Sequence, residues 1–272
     1  MTAKRKNVGA KAKPGRTPTI GRGEGAALRQ ARIDLAAAFR WAARFELHEG
    51  VCNHFSLAVP GADDRYLINP QGLHWSEIRA SDLLVIDGKG NVLAGGRPVE
   101  ATAFYIHTRI HRARASAQCV LHTHMPHATA LAIVEGGRLE PCSQNALRFY
   151  GQVAYDDDSL DGGGYRGLAL DYAEGDRMAR ILGEKRILFL ANHGVVVVGP
   201  DVASAFDDLY YLERAAEAQV LAQSTGGRLR MVGDNLARVT QSQIAADQPV
   251  YAKHHFDALK RILDRESPEY RR

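Results

Sequence analysis

The stretch Cys119-Val120-Leu121-His122-Thr123-His124-Met125-Pro126-His127 decides how the rest of the chain is read. A short apolar run ends in three histidines, and Pro126 turns the chain immediately after the second. On an extended backbone, side chains two apart project from the same face. His122 and His124 therefore offer two imidazoles to one partner, which is half of a transition-metal site. The other half has to come from elsewhere in the chain.

His193 is the best third ligand. It follows the apolar run Arg186-Ile187-Leu188-Phe189-Leu190 and precedes Gly194, where a bare backbone can turn sharply and approach a bound group. Two strand ends far apart in sequence can meet at one rim of one sheet. Three histidines with an open position suit Zn²⁺ as a Lewis acid better than a closed structural site, with Mn²⁺ or Co²⁺ as the other divalent candidates. His48, His54, His74, His107, His111, His254 and His255 read by default as core or surface residues. His107 and His111 lie four apart on a helix, a spacing that serves plain polar packing as readily as a metal pair.

Upstream of the cluster, apolar steps of three and four from Glu24 to His48 predict a long amphipathic helix that stops near Gly50. Residues 55–59 and 65–68 read as strands joined by Pro60-Gly61-Ala62-Asp63-Asp64, and 83–86 with 91–93 as a hairpin. Ala103, Ile106, His107, Ile110 and Arg114 share one face of a helix over 99–114. Downstream, 126–134 is expected to be helical with Pro126 in its first turn. Residues 135–172 read as loops and short strands, 174–183 as a helix, 186–190 and 195–199 as strands, and 201–224 as the last long helix. The fold class is α/β: one domain over 24–266, with a central mixed, largely antiparallel sheet flanked by helices. A frayed tail is expected at 267–272.

Charge is unevenly placed. Seven Lys and Arg precede the first acidic residue, Glu24, and removing those seven from the formal +4 leaves the rest at −3. The Gly/Pro/Lys start reads as a disordered basic leader, residues 1–23. The remainder has no basic stripe with interleaved aromatics, so no nucleic acid partner is expected. No apolar run reaches the roughly 20 residues that span a bilayer, so no membrane partner is expected either. Cys52, Cys119 and Cys142 are few and scattered, which fits reduced thiols and a cytoplasmic location. Gly162-Gly163-Gly164 lacks the Lys-Ser/Thr of a phosphate loop and reads as surface. Glu213 and Glu217 lie one turn apart on the 201–224 helix and read as a solvated or interface face.

Asn69-Pro70-Gln71-Gly72-Leu73, Ser81-Asp82-Leu83, His122-Thr123-His124-Met125-Pro126-His127-Ala128-Thr129-Ala130-Leu131 and Asn192-His193-Gly194-Val195 together resemble the class II aldolase/adducin family. The resemblance runs from near Glu24 to near Gln219. It implies a zinc-type ion on His122, His124 and His193, a homotetramer with active sites between subunits, and carbonyl chemistry through a metal-stabilised enediolate. Two departures stand out. Where sugar-phosphate aldolases carry two serines and a catalytic Glu, this chain has Ala101-Thr102-Ala103. Their Gly-Asn-x-Ser phosphate segment appears as Asn53-His54-Phe55-Ser56. Substrate contacts are then expected from His54, Ser56, Gln71, Gly72 and Thr102. Glu100, about one turn before Ala103, and His127 are the candidate catalytic groups, with His54 also able to move protons. The first reading of Glu100, ahead of catalysis, is a first-turn charge favoured by the helix dipole, and the plain reading of His127 is a helix-start residue facing solvent. The expected activity is a metal-dependent lyase acting by retro-aldol cleavage or decarboxylation on a small hydroxy-carbonyl or hydroxy-acid. A non-catalytic adducin-like scaffold, and an epimerase or isomerase on the same metal, stay open.

Overall fold

The structure, a computed structural model, describes residues 25–160 and 162–272; the leader expected at 1–23 and Glu24 lie outside them. In chain order the elements are α1 (Ala26–Arg44), β1 (His54–Ala58), β2 (Arg65–Ile68), β3 (Leu84–Asp87), β4 (Val92–Ala94), α2 (Ala101–Ala113), β5 (Cys119–Thr123) and α3 (Pro126–Ala132). There follow α4 (Gln144–Leu147), β6 (Val153–Asp156), α5 (Tyr172–Leu182), β7 (Ile187–Leu190), β8 (Gly194–Gly199), α6 (Val202–Ser224) and α7 (Asp234–Glu266). One-turn 3₁₀ helices stand at Ala80–Asp82 and Pro268–Arg271.

β5 sits at the middle of the single sheet, whose order is β4-β3-β2-β1-β5-β8-β7-β6. Every pairing is antiparallel except β6 with β7. Alternation along β5 sorts its side chains between two cores. Cys119 and Leu121 join Phe55, Val195 and Val197 beneath residues of α1 and α6. Val120 joins Val196, Val198 and Leu188 beneath Ile106 and Ile110 of α2 and Met178 of α5. His122 continues the Val120 side, so its ring is delivered to the α2 face. No helix among the described residues is long and apolar enough to cross a membrane.

The chain end departs from the sequence reading. α6 is not the last long helix: α7 follows it and runs for 33 residues. Its pattern is hard to read because the first half buries only Ala237 and Gln248, and Pro249 sits inside it. Proline removes one backbone donor and usually stops a helix. Here side-chain bonds fasten α7 to the body. Gln248 accepts from Arg186 at 2.7 Å and donates to Asp208 at 2.8 Å, and His255 Nδ1 lies 2.8 Å from Asp207. The tail at 267–272 is not frayed. Tyr270 is fully buried, Arg271 grips Asp264 at 2.5 and 2.7 Å, and the Arg272 carbonyl accepts from Ser81 N–H at 2.7 Å.

Candidate metal centre

His122 and His124 leave β5 on the side that faces the β7–β8 turn, and that turn carries His193. The ring centroids stand 5.2 Å apart for His122 and His124, 4.7 Å for His122 and His193, and 4.8 Å for His124 and His193. One nitrogen from each ring falls within 4.8 Å of the others, the single such cluster of metal-binding side chains among the described residues. Gly194 makes the approach possible. A Cβ there would lie 2.5 Å from the Thr123 carbonyl and 2.7 Å from the His124 ring. Asn192, just before the histidine, turns the chain with φ +55°, a conformation asparagine tolerates better than most residues.

The rings are prepared as neutral donors. Burial, then the neighbouring His193, His54, His124 and His107, hold His122 well below its ordinary pKa. Burial also lowers His124, and burial with His124 and His54 brings His193 to about 4. His122 Nδ1 sits 3.0 Å from the Val195 carbonyl, so it carries the proton and leaves Nε2 as the coordinating nitrogen. His124 Nε2 is buried and has no hydrogen-bond partner. A buried imidazole nitrogen without a partner is costly unless something binds it. The three residues therefore fit a divalent ion in donor type, protonation and unmet bonding.

A second arm reaches the triad from β1. Register places His54 opposite His122, and their rings stack at 5.4 Å and 27°. His54 Nε2 lies 3.2 Å from Glu100, whose carboxylate also accepts from the Thr102 hydroxyl and, at 2.9 Å, from the Ala103 N–H. Burial alone would raise the Glu100 pKa; the bonds from His54, Thr102 and Ala103 outweigh it and bring it to about 2. Glu100 is thus both the N-cap of α2 and the partner of His54. Ala103 is buried, and one turn earlier the Glu100 carboxylate meets His54, whose ring lies over His122.

Ser56, expected as a substrate contact, has its hydroxyl engaged elsewhere. It is fully buried, and its hydroxyl is taken up by His107 at 2.6 Å and His111 at 2.7 Å. The same alternation that points His54 at the triad points Ser56 under α2. Gln71 and Gly72 lie on an exposed turn, tied to the start of α2 by Gln71 N–H donating to the Pro98 carbonyl at 3.0 Å. His127 begins α3, and its ring Nδ1 lies 2.8 Å from Glu213. Glu213 is not a solvated face. Its carboxylate is buried and accepts from the His127 and Ala128 N–H groups at 2.9 and 3.0 Å, capping a helix whose own N-cap residue, Met125, contributes no side-chain bond.

Two further residues were not singled out from the sequence. Asn53 holds φ +70°, and its side-chain oxygen accepts from His124 N–H at 3.3 Å. An Asn where the aldolase segment carries Gly was the available signal, since both tolerate positive φ. Tyr165, on the loop before α5, places its ring 6.4 Å from that of His193. No local pattern announces it.

Sheet and triad together define a class. Residues 33–220 match the class II aldolase and adducin N-terminal domain, and the chain belongs to that family. A Caulobacter vibrioides protein named among the class 2 aldolases is 35% identical over 89% of this chain and 91% of its own. The structure of an aldolase II superfamily protein from Pseudomonas syringae superposes with a TM-score of 0.84 at 35% identity, covering 92% of this chain and 98% of that one. An L-fuculose 1-phosphate aldolase from Glaciozyma antarctica superposes at 0.79 with 26% identity, over 94% and 97% of the two chains.

Proposed function

We propose that the protein is a metal-dependent lyase that breaks a carbon–carbon bond in a small hydroxy-carbonyl or hydroxy-acid, by retro-aldol cleavage or decarboxylation. The observation that carries this reading is the buried, unpartnered Nε2 of His124 within a histidine triad whose nitrogens lie within 4.8 Å. His122, His124 and His193 would hold the divalent ion, Zn²⁺ first, which supplies Lewis acidity toward neighbouring substrate oxygens.

The protein's own groups supply the proton handling. Glu100, kept ionised by its three donors, orients His54 and leaves that ring to exchange a proton beside the triad. His127 is held through Nδ1 by Glu213, so exchange at that ring falls to Nε2. His54 in the phosphate-segment position, with Ser56 consumed internally, favours a substrate without a phosphate group. Thr102, Gln71 and Gly72 are the remaining proposed contacts. The name of the Glaciozyma relative, an L-fuculose 1-phosphate aldolase, supports cleavage of a hydroxylated carbonyl compound. The assembly proposed is a homotetramer in the cytoplasm.

The test is elemental analysis of the purified protein, followed by a screen of aldols and hydroxy-acids for aldehyde or CO₂ release. One equivalent of divalent metal and product formation abolished by His122→Ala are expected. A metal-free protein, or full turnover by His122→Ala, would falsify the assignment. Metal bound with neither product formed would point to the isomerase or scaffold reading.

A further inference from the structure

Beneath α2 lies a line of buried polar groups that the proposed chemistry does not use. Ser56 on β1 lies opposite Val120, two residues from the His54–His122 pair and on the same face. His107 and His111, one turn apart on α2, close over its hydroxyl.

The protons on this line can be assigned in order. A carbonyl only accepts, so the 2.6 Å contact from His111 Nδ1 to the Ala117 carbonyl puts a proton on that nitrogen. Burial brings the His111 pKa to about 4, so the ring is neutral and its Nε2 is bare. The Ser56 hydroxyl, 2.7 Å away, must then donate to it. With its one proton spent, Ser56 accepts from His107 Nδ1 at 2.6 Å. Burial, with His54 and His111 nearby, holds His107 well below its ordinary pKa, so that ring is neutral too and presents a bare Nε2. This nitrogen is buried and has no partner. Its ring stands at 82° to His54, 5.4 Å between centroids, while His54 lies over His122.

We infer that Ser56, His107 and His111 are positioning residues, a one-way hydrogen-bonded line that stands His107 against His54 and so keeps His54 flat over His122. An apolar filler would occupy the same volume without the cost of burying two imidazoles and a hydroxyl, but it would not fix a ring's rotation. Tyr66, stacked on His111 at 4.6 Å and 16°, backs the far end of the line. The inference rests on His54 and Glu100 being the proton-handling pair.

The test is long-range ¹H–¹⁵N correlation on the full-length chain labelled at histidine, with and without Zn²⁺. The native protein should show His107 and His111 both protonated at Nδ1 and bare at Nε2. Ser56→Ala should alter the His107 tautomer and displace the His54 ring signals, with zinc still bound at one equivalent. Ser56→Thr, which keeps a hydroxyl on the strand, should restore both. His107 protonated at Nε2 in the native protein overturns the inference, as does a Ser56→Ala variant whose His54 signals do not move. Should Ser56→Ala not fold, the native tautomers and Ser56→Thr decide. Failure of the lyase reading appears separately, as absent metal or absent product, and leaves these tautomers unchanged.

Discussion

Two buried polar clusters flank the sheet, and they are built to opposite rules. At the start of β7, Arg148 binds both Asp207 and Asp208, Arg186 reaches Asp208 at 2.6 Å, and Gln248 and His255 fill the remaining positions. Charges balance, and burial raises the Asp208 pKa against the pull of both arginines. At the β5–β8 end histidines gather with one carboxylate, Glu100 on His54, and His124 Nε2, His54 Nδ1 and His107 Nε2 are buried and unpartnered. A satisfied cluster joins elements of the fold; an unsatisfied one keeps lone pairs for something else. That difference, more than any single distance, separates the structural histidine His255 from the proposed ligands.

The sharpest way to break the contrast is to remove one member of each cluster. His122→Ala takes a ligand rather than an outer support, so zinc affinity should fall by more than the roughly 100-fold that outer partners cost. Turnover should go with it, while urea unfolding of the metal-free protein changes little. Titration with Zn²⁺ followed by calorimetry reads the first effect. Arg148→Met should do the reverse. It leaves buried Asp207 with His255 alone and Asp208 with Arg186 and Gln248, one cation short for two carboxylates, a loss of about 3–5 kcal/mol in denaturant unfolding, with one equivalent of zinc still bound to the folded fraction.

Acid separates the clusters without mutation. His193 and His111 have folded pKa values of about 4, below the unfolded value near 6.5. Between those limits the unfolded state binds more protons, so stability is full above pH 6.5 and is lost as pH falls through 4. His111 alone accounts for on the order of 3 kcal/mol across that window. Unfolding midpoints of the metal-free protein from pH 7.5 to 4 should decline accordingly. A flat profile would mean that the rings are not buried as neutral groups.

The contrast also shows what was legible in the residues. The clustering of the three histidines was readable because each stands at or near the end of an apolar strand beside a turn residue, so local spacing and burial point the same way. The helices α1, α2 and α6 and the antiparallel strands were readable for the same reason. The companion cluster was not, because Arg148, Asp207, and the α7 pair Gln248 and His255 come from three separate segments, and their pairing follows from the packing of α7. α7 itself hid behind Pro249 and a first half with almost no buried face. Ser56 was misplaced because a motif gives residue type, whereas strand register decides which neighbours use the hydroxyl. Glu213 looked exposed by composition, yet the α3 N-terminus that needs it lies more than eighty residues earlier in the chain.

Glu213 provides the gentlest test, because it links the two kinds of site. Its carboxylate caps α3, the helix that starts two residues after His124, and also holds the His127 ring. Glu213→Gln keeps an oxygen for the backbone donors and should cost well under the roughly 1 kcal/mol typical of a lost cap, whereas Glu213→Ala should cost about 1–2 kcal/mol. Both remove the anionic partner of His127. If His127 moves protons in catalysis, the two variants should lose turnover to similar extents despite their different stabilities, with zinc affinity unchanged. If α3 only needs its cap, turnover should follow stability, and Glu213→Gln should behave like the native protein. Parallel unfolding and turnover measurements on this pair therefore separate a positioned base from a helix start.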